Sequence, residues 1–243
     1  SFTDAIAAAQ AGDTIDLLKD VTMSGTVLLD KSITINGNGN TITSPATRVF
    51  RITTGNVQVT MNDLNIVSTA VRVYPQIDSI RGISVDSGFT GIELTLNGCS
   101  VDFTDATASD CSYAVNIVGG SNHTLTVNGG TIEMASEAMS HMRDAIDNNS
   151  TTGGLTFNDG VIVEEGKCPE GGNAGITMSK GKMTINGNPT IGSIHLFNNP
   201  VNVAVCFAVD FTGLTTTSPI KLSVNYSGTI ATATADVTAC FDV

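Results

Sequence analysis

Only a few side chains in this sequence have the type and spacing to do chemistry. Glu137 lies four residues before His141, and Asp144 three after it. On a short helix over 135–143 Glu137 and His141 share a face, and an imidazole among carboxylates is a general acid–base arrangement. The same pattern also fits an exposed helix cap. Arg48, Arg72 and Arg81 fall in or beside strand-like runs, with Arg51, Asp78 and Asp86 nearby. Asp102, Asp105 and Asp110 offer the hard oxygens that calcium prefers, but without the fixed spacing of a ligand loop. Ordinary solvated carboxylates explain them too. Asp105, Asp110, Glu164, Glu165 and Glu170 stand in polar segments and are candidate ligand contacts. No cofactor is expected; calcium is the one ion these groups would suit. His123 and His195 sit in strand-like sequence without charged company. No Ser-His-Asp order, Gly-x-Ser-x-Gly elbow, phosphate loop or dinucleotide fingerprint is present.

The composition narrows the partners. Lys and Arg total 11 against 23 Asp and Glu, a formal net charge of -12. This disfavours nucleic acid and anionic lipid surfaces. Charged residues make up 14 % and apolar residues 41 %, with Thr, Ser, Asn and Gly filling much of the rest, which points to an exported protein. There is no Trp and only three Tyr, few flat rings for sugar faces. No run of 18 apolar residues marks a membrane span. The chain opens in structured sequence without a signal peptide, so it is expected to be part of a larger exported protein. The five cysteines, 99, 111, 168, 206 and 240, form no close-spaced zinc pair, and their odd number leaves one thiol over. Cys99, Cys206 and Cys240 lie in apolar runs that suit buried free thiols. A Cys206–Cys240 or Cys99–Cys111 bridge remains open.

The elements that must carry these groups follow from an internal repeat. Ile33-Thr34-Ile35-Asn36-Gly37 recurs as Val59-Thr60-Met61-Asn62-Asp63, Leu94-Thr95-Leu96-Asn97-Gly98, Leu125-Thr126-Val127-Asn128-Gly129, Leu155-Thr156-Phe157-Asn158-Asp159 and Met183-Thr184-Ile185-Asn186-Gly187. The asparagines are 26, 35, 31, 30 and 28 residues apart. Apolar–Thr–apolar is a half-buried strand; Asn before Gly or Asp is a bend that tolerates left-handed backbone. A second strand follows each bend, as in Thr41-Ile42-Thr43 and Leu64-Asn65-Ile66-Val67. A third comes between copies, as in Val49-Phe50-Arg51-Ile52 and Ala145-Ile146-Asp147. Three short strands repeating at such steps predict a parallel β-helix whose coils stack about 4.8 Å apart. Its structural asparagines, Asn36, Asn62, Asn97, Asn128, Asn158 and Asn186, would form an amide ladder. Hairpins of an antiparallel sandwich are the competing reading of Asn-Gly. The polar segments 104–113, 135–144 and 164–173, if they precede corresponding strands, leave the coil on one side and form its binding wall.

Phe2 to Gln10 reads as a short helix started by Ser1 or Thr3, followed by a strand at Ile15-Asp16-Leu17-Leu18. It is placed to cap the open end of the coil. This opening, through Ala11-Gly12-Asp13-Thr14-Ile15-Asp16-Leu17 and on to Gly39-Asn40-Thr41-Ile42, resembles right-handed β-helix proteins of the pectin-lyase-like superfamily. The resemblance covers residues 1–195, and the first 45 are the distinctive part. It implies a fold more than an activity, since the superfamily holds lyases, hydrolases, adhesins and stalks. Its lyases use calcium held by acidic side chains and an Arg or Lys base. Its hydrolase motifs (paired Asp with Gly-His-Gly and Arg-Ile-Lys) and its lyase stretch (Arg-x-Pro-x-x-Arg) are absent, and Val71-Arg72-Val73-Tyr74-Pro75 with Arg81 does not match the latter. Gly187-Asn188-Pro189-Thr190-Ile191 and Thr217-Ser218-Pro219-Ile220 resemble segments of large β-helical surface proteins of bacteria.

The expected fold is therefore all-β: a right-handed single-stranded parallel β-helix forming one domain over 1–243. Residues 1–20 make the N-terminal cap and first strand, 21–194 about six coils, and 195–243 the final rungs and C-terminal cap. The expected function is that of an exported or cell-surface structural, adhesin-like module, non-enzymatic, binding glycan or surface protein through loops on one face. The alternative is a polysaccharide lyase or glycoside hydrolase working in a groove along one sheet, with Arg72, Arg81, Glu137, His141 and Asp144 as its candidates.

Overall fold

The computed structural model describes residues 1–72, 79–103, 106–108, 112–132, 144–164, 174–178, 181–196, 207–215, 219–224 and 241–242. Strands come in recurring threes. Ile33–Asn36, Thr41–Ser44 and Arg48–Ile52 form one set, and Gln58–Asn62, Asn65–Ser68 and Arg81–Val85 the next. Each strand pairs in parallel with its counterpart one coil away, giving a first sheet of eight strands, a second of seven and a third of nine. The molecule is a parallel β-helix. A small fourth sheet, Val71–Arg72 with Thr107–Ala108, sits on the connections from second sheet to third.

Register follows the repeat residue by residue. Thr34, Thr60, Thr95, Thr126, Thr156 and Thr184 stand in one row of the first sheet. Their flanking apolar residues point inward: Ile35, Met61, Leu96, Val127, Phe157 and Ile185 are fully buried. Rows from the other sheets, such as Ile42, Ile66, Val101 and Ile132, meet them in one continuous core. Each such side chain contributes about 1.5–3 kcal/mol by leaving water. Leu96 stands in register between Met61 and Val127, so Leu96→Ala opens a hole that stacked neighbours cannot close. It is expected to lower stability by about 2–5 kcal/mol, measured by chemical denaturation. A change no larger than a surface substitution's, about 0.5 kcal/mol, would count against that packing.

The bends let coils approach closely. The Gly37 N–H donates to the Asn62 carbonyl at 2.7 Å, and a Cβ at 37 would overlap the Asp63 carbonyl. Only glycine fits there.

The helix Phe2–Ala8 covers the N-terminal end. Ser1 caps it reciprocally with Asp4, and Phe2 packs edge-on to Phe50 with ring centroids 6.3 Å apart. Lys31 Nζ donates to the Ile6 and Ala9 carbonyls at 3.3 and 3.2 Å. The helix ends sooner than Gln10 because Ala9 is already extended. The first strand is Thr14–Asp16, not 15–18, and Leu18 is left exposed. Near the C-terminus the strands Phe207–Leu214 and Ile220–Val224 continue the first and third sheets, with a register shift between Thr184 and Asn186. Among the described residues no helix is long and apolar enough to cross a membrane.

Candidate functional site

The third sheet carries the charge. Read in register, its strands place Arg51, Ser84, Asn116, Asp147, Thr177 and His195 in one polar row. Beside it lies a row of Arg48, Arg81, Tyr113 and Asp144. Two buried positions separate the rows, and the second of them, Phe50, Ile83, Val115, Ile146 and Ile176, is an apolar row of the core.

At one end of the polar row Arg51 Nε–H donates to Asp86 Oδ2 at 2.6 Å, and its Nη2 meets the same carboxylate. Ser84 Oγ–H donates to Asp86 Oδ1 at 3.1 Å. Two coils on, Asn116 Nδ2–H and Asn149 Nδ2–H both donate to Asp147 Oδ2, at 2.7 and 2.8 Å. Thr177 Oγ1–H donates to Asp144 Oδ1 at 2.6 Å. Asp144 and Asp147 are only 5 % and 7 % exposed. Burial pushes the Asp147 carboxyl up, the Asp144 charge pushes it further, and Arg81 and the two amide donors oppose; the balance is about 7. Such a carboxyl can give or take a proton near neutral pH. Asn116, 2 % exposed, has its Oδ1 buried without a hydrogen-bond donor among the described residues.

Of the residues singled out from sequence, Arg81 and Asp144 come together here, both acting electrostatically on Asp147. Arg48 shares their row. Arg72 does not: it pairs with Ala108 in the small fourth sheet. Asp102 ends a strand of the second sheet, and Glu164 is exposed at the end of another. Asp105, Asp110, Glu137, His141, Glu165 and Glu170 lie outside the described residues, as does the helix expected over 135–143. Among the described residues no group of three or more His, Cys, Asp or Glu is arranged to hold a metal ion. The polar segments 104–113, 135–144 and 164–173 lead into Tyr113–Ile117, Asp144–Asn148 and Ala174–Met178, neighbours in the third sheet.

The six repeat asparagines form an unbroken chain of amides. Asn62 donates to Asn36 at 2.8 Å, Asn97 to Asn62 at 2.7 Å, Asn128 to Asn97 at 2.7 Å, Asn158 to Asn128 at 2.6 Å and Asn186 to Asn158 at 2.9 Å. Asn36 donates to the Asp16 carboxylate at 2.8 Å. At the other end Gly213 stands opposite Asn186, where any Cβ would strike the Asn186 Oδ1.

Two side chains that sequence leaves open are structural. His123 is buried and its Nδ1 accepts from the Ile92 N–H at 3.2 Å; burial holds its imidazole below the usual value. Cys99 is a free buried thiol, so a bridge to Cys111 is not formed. Its Sγ–H donates to the Met61 carbonyl at 3.2 Å, and burial pushes its pKa up to about 11.

Asp147 and Asn116 are the site residues that motif reading misses. Aligning the third strands on their central apolar residue (Phe50, Ile83, Val115, Ile146, Ile176) exposes the row that follows it: Arg51, Ser84, Asn116, Asp147, Thr177. Comparison with known proteins finds no matching family model, no matching curated protein and no matching solved structure.

Proposed function

We propose that this chain is a structural, adhesin-like module of an exported or cell-surface protein, akin to the non-catalytic members of the pectin-lyase-like superfamily. It binds glycan or a surface protein along the third sheet and the connections entering it. The observation that carries this reading is the amide ladder running without a gap from Asp16 to Asn186. It ties successive coils at one fixed register, which a rigid presenting rod requires and a flexible linker lacks. The Thr-rich, Lys-poor composition supports an exterior setting.

A second reading, a polysaccharide lyase or hydrolase, is favoured by one observation: the buried Asp144–Asp147 pair beside Arg81, with Asp147 titrating near neutrality. One experiment separates them. A glycan and polysaccharide panel is scored for binding and for products, with and without calcium, using the native chain and Asp147→Asn. Binding without products in both proteins is the expected result. Products released by the native chain and lost in Asp147→Asn would overturn the non-enzymatic reading in favour of the second.

A further inference from the structure

Four of the six ladder asparagines precede glycine: Asn36, Asn97, Asn128 and Asn186. Asn-Gly is a latent reaction centre, because a glycine nitrogen has no side chain in the way of the preceding carboxamide. The backbone nitrogen attacks Asn Cγ, a C–N bond closes a five-membered imide, and ammonia leaves with the nitrogen's proton. Water then opens the ring at either carbonyl, giving aspartate or isoaspartate. Two conditions must be met: the carboxamide must leave the ladder, and the glycine nitrogen must be free.

The first condition is the same for three of the sites, since Asn36, Asn97 and Asn128 each donate one ladder bond and accept another. The second separates them. The Gly37 N–H is held by the Asn62 carbonyl at 2.7 Å, and the Gly98 N–H by the Asn128 carbonyl at 2.8 Å. The Gly129 N–H has no hydrogen-bond acceptor among the described residues. Glu93–Asn97 is paired with His123–Asn128 through Asn97 and Asn128, whereas the strand Gly153–Phe157, paired in the same register, ends one residue earlier, at Phe157 opposite Val127. Asn158 N–H still makes the in-register ladder bond to the Val127 carbonyl at 3.0 Å, and the pairing stops there. The space around Gly129 is open too: a Cβ there would meet nothing within 4 Å, while one at 37 or 98 would collide with Asp63.

We propose that Asn128–Gly129 is a site of spontaneous self-modification in the folded protein, and that the coil guards the chemically identical steps at Asn36 and Asn97. Conversion at 128 replaces an amide donor with a carboxylate oxygen facing Asn97 Oδ1, and so severs the ladder near its middle.

The test needs no variant. The native protein is aged at mildly alkaline pH, then digested and mapped by mass spectrometry, with isoaspartate detected by enzymatic methylation; a second sample is aged in denaturant. In the native sample Asn128 is expected to convert about five-fold faster than Asn36 or Asn97, the factor one hydrogen bond carries. In denaturant the three should convert at similar rates. Equal rates in the native protein, no native conversion at 128, or the same order in both samples would overturn the proposal.

Discussion

Asp147→Asn is expected to make the protein more stable at about pH 8, by on the order of 4 kcal/mol, while changing little below about pH 4. The sign follows from the direction of the shift. Burial and the neighbouring Asp144 raise the folded-state pKa of Asp147 from 3.8 to about 7, so the fold prefers the neutral acid. Its contribution is complete below the unfolded value and drains away as pH rises through the folded one. An asparagine is neutral throughout and keeps an oxygen to accept from Asn116 and Asn149. Chemical denaturation of both proteins between about pH 4 and pH 8 should give curves that meet at the acid end and diverge steadily above it. Parallel curves would mean that Asp147 ionises in the fold as it does in water.

Asn97→Ala is expected to cost about 2–4 kcal/mol, and about twice what Asn186→Ala costs. Removing an interior amide leaves Asn62 Oδ1 without its donor and Asn128 Nδ2 without its acceptor. Each orphaned group in a part-buried site loses about 1–2 kcal/mol. Removing Asn186 orphans only Asn158 Oδ1. Denaturation midpoints of the two variants decide this, because the ratio depends on position in the ladder and alanine propensity cancels. Equal losses would show that the asparagines act only through their own bends.

Much of the coil was readable from the repeat because its signals are local. Thr between two apolar residues fixes which face turns inward, and Asn-Gly fixes where the strand ends, so the rows of Thr34 and Asn36 fall where periodicity puts them. The charged face was harder to read. Arg81 and Asp144 were named from sequence, but Asp147 sits in a plain strand pattern, Ala145-Ile146-Asp147. Its character comes first from burial among the stacked strands and then from Asp144, with Arg81 and Asn116 of earlier coils alongside. Chemistry assembled across coils leaves no linear motif. Arg72 shows the converse: it was named beside Arg81 as a candidate, yet the two stand in different sheets. The first strand was misjudged for a different reason: Leu17 and Leu18 both look like strand residues, but pairing ends at Asp16, and of the two only Leu17 is buried.

The amide ladder also has a direction. Every carboxamide from Asn186 to Asn36 gives its N–H toward the N-terminal end, so six side-chain dipoles align head to tail. The positive pole of that array meets the Asp16 carboxylate, as an anion meets the start of an α-helix. A further coil with asparagine at this position would need a donor from Asp16, and an ionised carboxylate has none to give. The stack is therefore polar from end to end, and its first rung is terminated by charge.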